Sequence, residues 1–143
     1  MTGWRIGYLT CPDYVMDRLL LLSAAEIAAV PTFLQEACVA ALQTDPSPMR
    51  DTYVKRRAYI TARLRGMGLS FPEPEGAFYV FVDIQRFGMD SAEFCTRMIR
   101  QAAVAAVPGS CFGSEGYIRL SYCCSDEDLK TGMDRMEKFI KTL

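Results

Sequence analysis

The sequence predicts a mixed α/β fold in which a small sheet is packed with helices. Half of the 143 residues are apolar and 23% are charged, the balance of a chain able to bury a core. Stretches with one-turn apolar spacing alternate with short runs rich in Val, Ile, Phe and Tyr, so helix and strand signals interleave. From residue 46 onward the order reads helix, strand, helix, strand, strand, helix, a layout in which helices can cover a sheet.

The first ten residues read as a short extended segment, with Trp4, Ile6 and Tyr8 as strand formers and Cys11-Pro12-Asp13 closing it. Tyr14 to Ala29 has a helical pattern that is apolar almost all round, which predicts a helix buried between two masses of protein. Pro31 ends it. Thr32 with Gln35 offers a capping box for a second helix, whose apolar face is Phe33, Leu34, Ala37, Cys38, Ala41 and Leu42. Asp45-Pro46-Ser47-Pro48 stops and restarts the chain, with Ser47 as N-cap and Pro48 at the first helical position. A domain boundary is expected there.

The next helix turns Met49, Tyr53, Ile60, Leu64 and Met67 inward and Lys55-Arg56-Arg57 to water, and Gly66 and Gly68 end it. Residues 71–76, with two prolines, are a stiff approach to a strand from Ala77 to Ile84. Asp90 with Glu93 caps a helix running to about Ala103. Val104 to Val107 is a short strand, Pro108 to Gly116 a glycine-rich turn, and Tyr117 to Cys123 a further strand. Ser125 caps the last helix, with Leu129, Met133, Met136 and Ile140 inward.

Sixteen basic against seventeen acidic residues leave a net charge of −1, without the basic excess that nucleic acid or a membrane surface would favour. Histidine is absent, which removes the Ser-His-Asp and Cys-His nucleophile systems and the commonest ligand of catalytic zinc. The six cysteines form no CxxC pair, and adjacent Cys123 and Cys124 on a strand would point to opposite faces. They read as reduced, mostly buried thiols of a cytoplasmic chain, with no metal. The longest apolar run, around Leu19 to Ala25, is flanked by Asp17, Arg18 and Glu26 and falls short of the ~20 residues a membrane helix needs.

Two arginines sit in settings unusual for surface residues. Strand alternation places Ile118, Leu120 and Tyr122 on one face and Tyr117, Arg119 and Ser121 on the other. A guanidinium fixed on such a face can grip a carboxylate with two parallel hydrogen bonds, or else pair with a neighbouring acid or reach water. Arg5, between Trp4 and Ile6, suits a phosphate, a carboxylate or an internal ion pair. The turn Gly109 to Gly116 lacks the Gly-Lys-Ser/Thr ending of a phosphate loop and precedes a strand, so its glycines serve a close backbone approach or the turn itself. Asp83 could be a base or a cap. The lysines Lys55, Lys130, Lys138 and Lys141 all fall on amphipathic helices among other charges, and no nucleophile–base pair is visible.

At these residues a family resemblance enters. Residues 1–8, MTGWRIGY, resemble the stretch just downstream of the cofactor lysine in fold-type I pyridoxal-phosphate aminotransferases of the aspartate aminotransferase branch. Pro74-Glu75-Gly76-Ala77-Phe78-Tyr79 resembles that family's P-x-G-A-F-Y element. Residues 107–113, VPGSCFG, followed by residues 116–122, GYIRLSY, resemble its VPGxxFG…GYIRLSY segment. The elements come in family order, and the resemblance runs essentially from end to end.

The resemblance implies that Arg5 binds the phosphate of pyridoxal 5'-phosphate and that Arg119 holds the substrate α-carboxylate, with Gly109 and Phe112 lining the substrate side. It implies no catalytic residue within this sequence, since the Schiff-base lysine would lie upstream of Met1. Residues 1–45 would be a remnant of the large cofactor-binding domain, its last strand and the interdomain helices, and residues 46–143 the C-terminal small domain. The parent would then be a homodimeric transferase moving an amino group between an amino acid and a 2-oxo acid. The part in hand would be inactive without an N-terminal large domain, and Trp4, Ile6 and the Leu19–Leu22 run would be left exposed and prone to self-association. Two alternatives are a free-standing, non-catalytic module for carboxylate binding or dimerisation, and a parent with a related lyase activity.

Overall fold

The computed structural model describes residues 2–143. The chain forms two compact units, Met1–Pro46 and Ser47–Leu143.

The first unit begins with a 3-10 turn at Thr2–Trp4 and continues to Pro12 without a strand. Over residues 2–10 this corrects the expected strand; Met1 lies outside the described residues. A strand needs a partner to take up its N–H and C=O groups, and the sheet's strands all lie in the second unit. Helix α1 spans Asp13–Glu26 and α2 spans Thr32–Leu42. Neither contains a buried residue, so α1 is not enclosed as its all-round apolar pattern predicts. Leu20, Leu21 and Leu22 are 60%, 67% and 54% exposed, because a unit this short has too little protein to cover them. The expected Thr32–Gln35 box is also absent: Pro31 takes the cap position, and Gln35 Nε2 instead donates to the Val30 carbonyl at 2.9 Å. Of the expected α2 face, Leu34, Ala37 and Cys38 are half-buried while Phe33, Ala41 and Leu42 are exposed.

The second unit is helices on one face of an antiparallel sheet. Helix α3 runs Ser47–Gly66, β1 Tyr79–Asp83, α4 Ser91–Ala102, β2 Val107–Pro108, β3 Tyr117–Ser121 and α5 Asp126–Ile140. The strand order is β1-β3-β2. The register sets Val80 opposite Leu120, Phe81 opposite Arg119, Val82 opposite Ile118, and Val107 opposite Arg119 on the far side. Alternation sends Val80, Val82, Ile118, Leu120 and Tyr122 into the core. There they meet Ile60 and Leu64 of α3, Phe94 and Met98 of α4, and Leu129, Met133, Met136 and Phe139 of α5. The caps predicted at Asp90 and Ser125 are present, Asp90 Oδ1 accepting from Glu93 N at 2.7 Å and Ser125 Oγ from Asp128 N at 3.1 Å, whereas Ser47, expected as N-cap, is the first residue of α3.

Four expectations need correction. Met49 is 61% exposed, one turn before the protein mass that shelters Tyr53. The basic run of α3 is not wholly solvated: Arg56 pairs with Asp126 at 2.7 Å and Arg57 donates to the Pro74 carbonyl at 3.1 Å, tying α3 to α5 and to the approach to β1. The strands are shorter than their β-rich sequences, since pairing rather than propensity ends a ladder. Finally, Cys95 alone among the cysteines is buried; Cys11 and Cys38 are partly covered and Cys111, Cys123 and Cys124 are exposed. All six are free thiols. Among the described residues no helix is long and apolar enough to cross a membrane, and no group of three or more metal-ligating side chains comes together.

Candidate functional site

Arg119 stands in the middle of β3, the central strand, on the face away from the core. The backbone of a paired strand cannot swing, so the base of this side chain is fixed. Its guanidinium is then held between two rings: Cζ lies 4.2 Å from the Tyr79 centroid and 4.4 Å from the Phe112 centroid. Contacts this close are worth about 0.5–2 kcal/mol each, more as water is excluded. Phe81 meets Phe112 edge to face at 5.6 Å, which steadies the outer ring. No carboxylate of a described residue forms an ion pair with Arg119. Both rings lie over the guanidinium carbon, and the N–H groups of a planar guanidinium radiate within its own plane. The result is a half-buried cation with its rings supplied and its in-plane donors available, the form that receives a carboxylate with two hydrogen bonds.

Phe112 is delivered by the glycine-rich turn. Residues Gly109–Phe112 make a 3-10 turn, closed by Gly113 at φ 69° and bonded across its base by Ser114 N to the Gly109 carbonyl at 2.9 Å. Gly109 is buried against its own chain. A Cβ there would collide with the Ser114 carbonyl oxygen and come within 2.5 Å of that of Tyr117. Of the two roles its pattern allowed, close approach is realised, and what approaches is the turn's own backbone.

The turn is anchored by a residue that sequence reading passed over. Glu115 Oε1 accepts from the backbone N–H of Ser91 at 2.7 Å and of Gly116 at 3.0 Å, while Oε2 accepts from the Ser91 hydroxyl at 3.0 Å. Ser91, fully buried at the start of α4, also lies 3.3 Å from both the hydroxyl and the backbone N–H of Ser110. These bonds, the one from Gly116 foremost, hold the Glu115 carboxyl below the usual glutamate range. The Glu115–Ser91 pair spans 24 positions, so no local pattern reveals it. Tyr79 was legible in principle, since it shares a β1 face with Phe81, the partner of Arg119.

Asp83 ends β1 in a side-chain turn, its Oδ1 accepting from Gln85 N at 2.9 Å. On the core face, Tyr122 donates its hydroxyl to the Ala77 carbonyl at 3.1 Å, and burial raises its pKa. A separate cleft of about 330 Å³ is lined by Arg50, Arg57, Glu75, Phe78 and Tyr122 among others, and does not include Arg119. Arg119, Phe112 and Gly109 thus share one neighbourhood of the second unit. Arg5 belongs to the first unit, where it is exposed and adopts a left-handed φ of 54° just after the opening turn.

Comparisons with known proteins agree on one group. The family model for aminotransferase class I and II matches residues 1–136. The aromatic-amino-acid aminotransferase 2 of Thermococcus litoralis is 42% identical over 99% of this chain and 38% of its own length. The aspartate aminotransferase of Pyrococcus abyssi is 40% identical over 99% of this chain and 38% of its own. Among solved structures, an aspartate aminotransferase from Thermotoga maritima superposes with a TM-score of 0.91 at 38% identity, covering 99% of this chain and 37% of that one. The chain spans about 38% of the length of the curated relatives it matches. A family model matching nearly the whole sequence, relatives at this identity and a shared fold together establish that the chain belongs to the class I and II aminotransferases.

Proposed function

We propose that this sequence is the C-terminal part of an aminotransferase that uses pyridoxal 5'-phosphate to move an amino group between an amino acid and a 2-oxo acid. Arg119 is the receptor for the substrate α-carboxylate. The observation that carries this reading is the half-buried guanidinium, stacked on Tyr79 and Phe112 and paired with no carboxylate of a described residue. In this reading residues 1–45 belong with a large cofactor-binding domain and residues 46–143 form the small domain of a dimeric, cytoplasmic enzyme.

The side chains present fit one end of the cofactor. The exposed, permanently charged Arg5 suits a phosphate dianion. Lys55, Lys130, Lys138 and Lys141 are all exposed on α3, on α5 or just beyond it, and Lys141 pairs with Glu137 at 2.7 Å, so none is a desolvated amine suited to the aldehyde end. When bound, the cofactor supplies an electron sink at the substrate α-carbon. The work of this chain is binding and orientation: Arg119 fixes the carboxylate at two points, Phe112 and Tyr79 keep water from the guanidinium faces, and Arg5 balances the phosphate charge. Gly109 serves the substrate side through the turn that carries Phe112.

The test uses the native product carrying this sequence, purified from source cells, with intact mass measured first and transamination second. A chain much longer than 16.0 kDa, active with 2-oxo acids and with its KM raised ~100-fold or more by Arg119→Ala, is the expected result. A 16.0 kDa product with no affinity for carboxylates, or an active enzyme indifferent to Arg119→Ala, would overturn it.

A further inference from the structure

The fork of Arg119 is only as well aimed as the rings that sandwich it, and the two rings are held differently. Tyr79 is part of β1 and is fixed by the ladder with β3, opposite Ser121. Phe112 has no ladder. It sits on a turn with glycines at positions 109, 113 and 116, and is itself 44% exposed. Such a turn, left to itself, samples many conformations at little cost. Something non-local must select the one in which Phe112 covers the guanidinium.

We propose that Glu115 is a positioning residue for Arg119: by clasping the start of α4 it locks the glycine-rich turn and presses Phe112 onto the guanidinium. This rests on the reading of Arg119 as the carboxylate receptor. The clasp has three bonds from Glu115, two to Ser91 and one to Gly116, and continues through the Ser91 hydroxyl to Ser110, two residues before Phe112. Both ends of the turn are thereby referred to one buried serine on a helix that packs against β2 and β3. The clasp is also in the right charge state, because a carboxylate receiving backbone N–H groups at a helix start is favoured as the anion. Glu115 makes no ion pair with Arg119 among the described bridges, so it acts through the turn rather than by charge on the fork. It therefore leaves the in-plane donors of Arg119 to the ligand.

The native product carrying this sequence can be tested by NMR, with pyruvate as the 2-oxo acid probe. Sandwiching between two rings shifts the Arg119 Nε–Hε signal upfield, a signature that general destabilisation does not mimic while the fold persists. Glu115→Ala is expected to move that signal toward the position of a free guanidinium and to weaken pyruvate binding by about fivefold, with the amide signals of Val80, Val82 and Ile118 in place. An unchanged Arg119 signal with pyruvate affinity within about twofold of wild type would overturn the proposal. Should Glu115→Ala not fold, Ser91→Ala decides the matter, because it deletes the hydroxyl bonds and keeps the N–H: a smaller shift in the same direction supports the clasp, and none refutes it. Arg119→Lys separates the two readings. If the lysine variant binds pyruvate as wild type does, the carboxylate assignment fails, and the Arg119 signal in Glu115→Ala still reports on the clasp.

Discussion

Gly109→Ala tests whether Gly109 builds the site or merely lines it. The added Cβ would stand 2.5 Å from the Tyr117 carbonyl oxygen and closer still to that of Ser114, whereas carbon–oxygen contacts in proteins settle near 3.3–3.6 Å. A shift of about 1 Å is therefore required, and it cannot be taken up by a flexible side chain, because both obstacles are backbone. Tyr117 pairs with Asp83 in the sheet, and its neighbour Gly116 accepts from Ile84 N at 2.9 Å, so the shift disturbs the start of β3. Overpacking of this kind costs typically 1–3 kcal/mol, and two rigid obstacles place this site near ~3 kcal/mol. For a domain of this size that corresponds to a fall in Tm of roughly 12–24 °C. Thermal unfolding followed by far-UV circular dichroism measures it. Gly113→Ala is the control: its φ of 69° carries a left-handed penalty of about 1 kcal/mol, but a Cβ there meets nothing within 4 Å. If Gly109→Ala melts within ~3 °C of wild type, or no lower than Gly113→Ala, the packing argument is wrong and a ligand-lining role for Gly109 gains ground.

Three further outcomes follow from the same structure. Alkylation at neutral pH should label exposed Cys111 and Cys123 first and Cys124 more slowly, since burial raises its pKa; Cys95, buried and pushed up to about 11, should react only on unfolding, as peptide mass spectrometry will show. The chain should lose stability in acid. Glu115, bonded to Gly116 and Ser91, and Glu137, bonded to Lys141 and Arg63, both have carboxyl pKa values below the ordinary 4.5, so their contribution is complete above that range and lost as pH falls through the folded values. Denaturant midpoints between pH 7 and pH 3 should fall, and a rise would refute the assignment. The first unit exposes Trp4, Tyr8, Leu9, Tyr14, Leu20, Leu21, Leu22, Phe33 and Leu42, so light scattering should find concentration-dependent self-association. A monodisperse monomer that binds no hydrophobic dye would contradict it.

What the sequence disclosed depended on how local the determining interaction is. The helix α4 start was legible because Asp90 and Glu93 lie within one turn of each other, and the two faces of β3 followed from simple alternation. The elements of the second unit were found in order because their apolar residues meet one another inside that unit. The first unit misled for the converse reason. Its apolar pattern describes surfaces that must be covered, and a pattern says that burial is wanted without saying by what. Hence α1 reads as enclosed while Leu20, Leu21 and Leu22 are open. In the site, Arg119 announced itself as a charge inside a strand of apolar and aromatic residues. Glu115, one charge among many, acquires meaning only when residue 91 is brought to it.

The energetics of Arg119 show why a strand arginine, rather than a lysine, belongs at this position. Partial burial costs a cation its hydration, and an uncompensated charge in such a setting is tolerated only if something replaces the lost water. Two aromatic faces at 4.2 and 4.4 Å replace part of it. They can do so for a planar guanidinium, which is weakly hydrated and stacks, far better than for a compact, strongly hydrated ammonium. The compensation is partial, because the rings offer the N–H groups no acceptor. Under the proposed role of Arg119, an incoming carboxylate finds donors already stripped of part of their water, so less ordering is required on binding. The same arrangement is selective: a lone carbonyl or hydroxyl oxygen cannot take both edge donors at once, whereas a carboxylate takes both. Arg119→Lys would keep the charge and lose the stacking, the bidentate geometry and the preorganisation together.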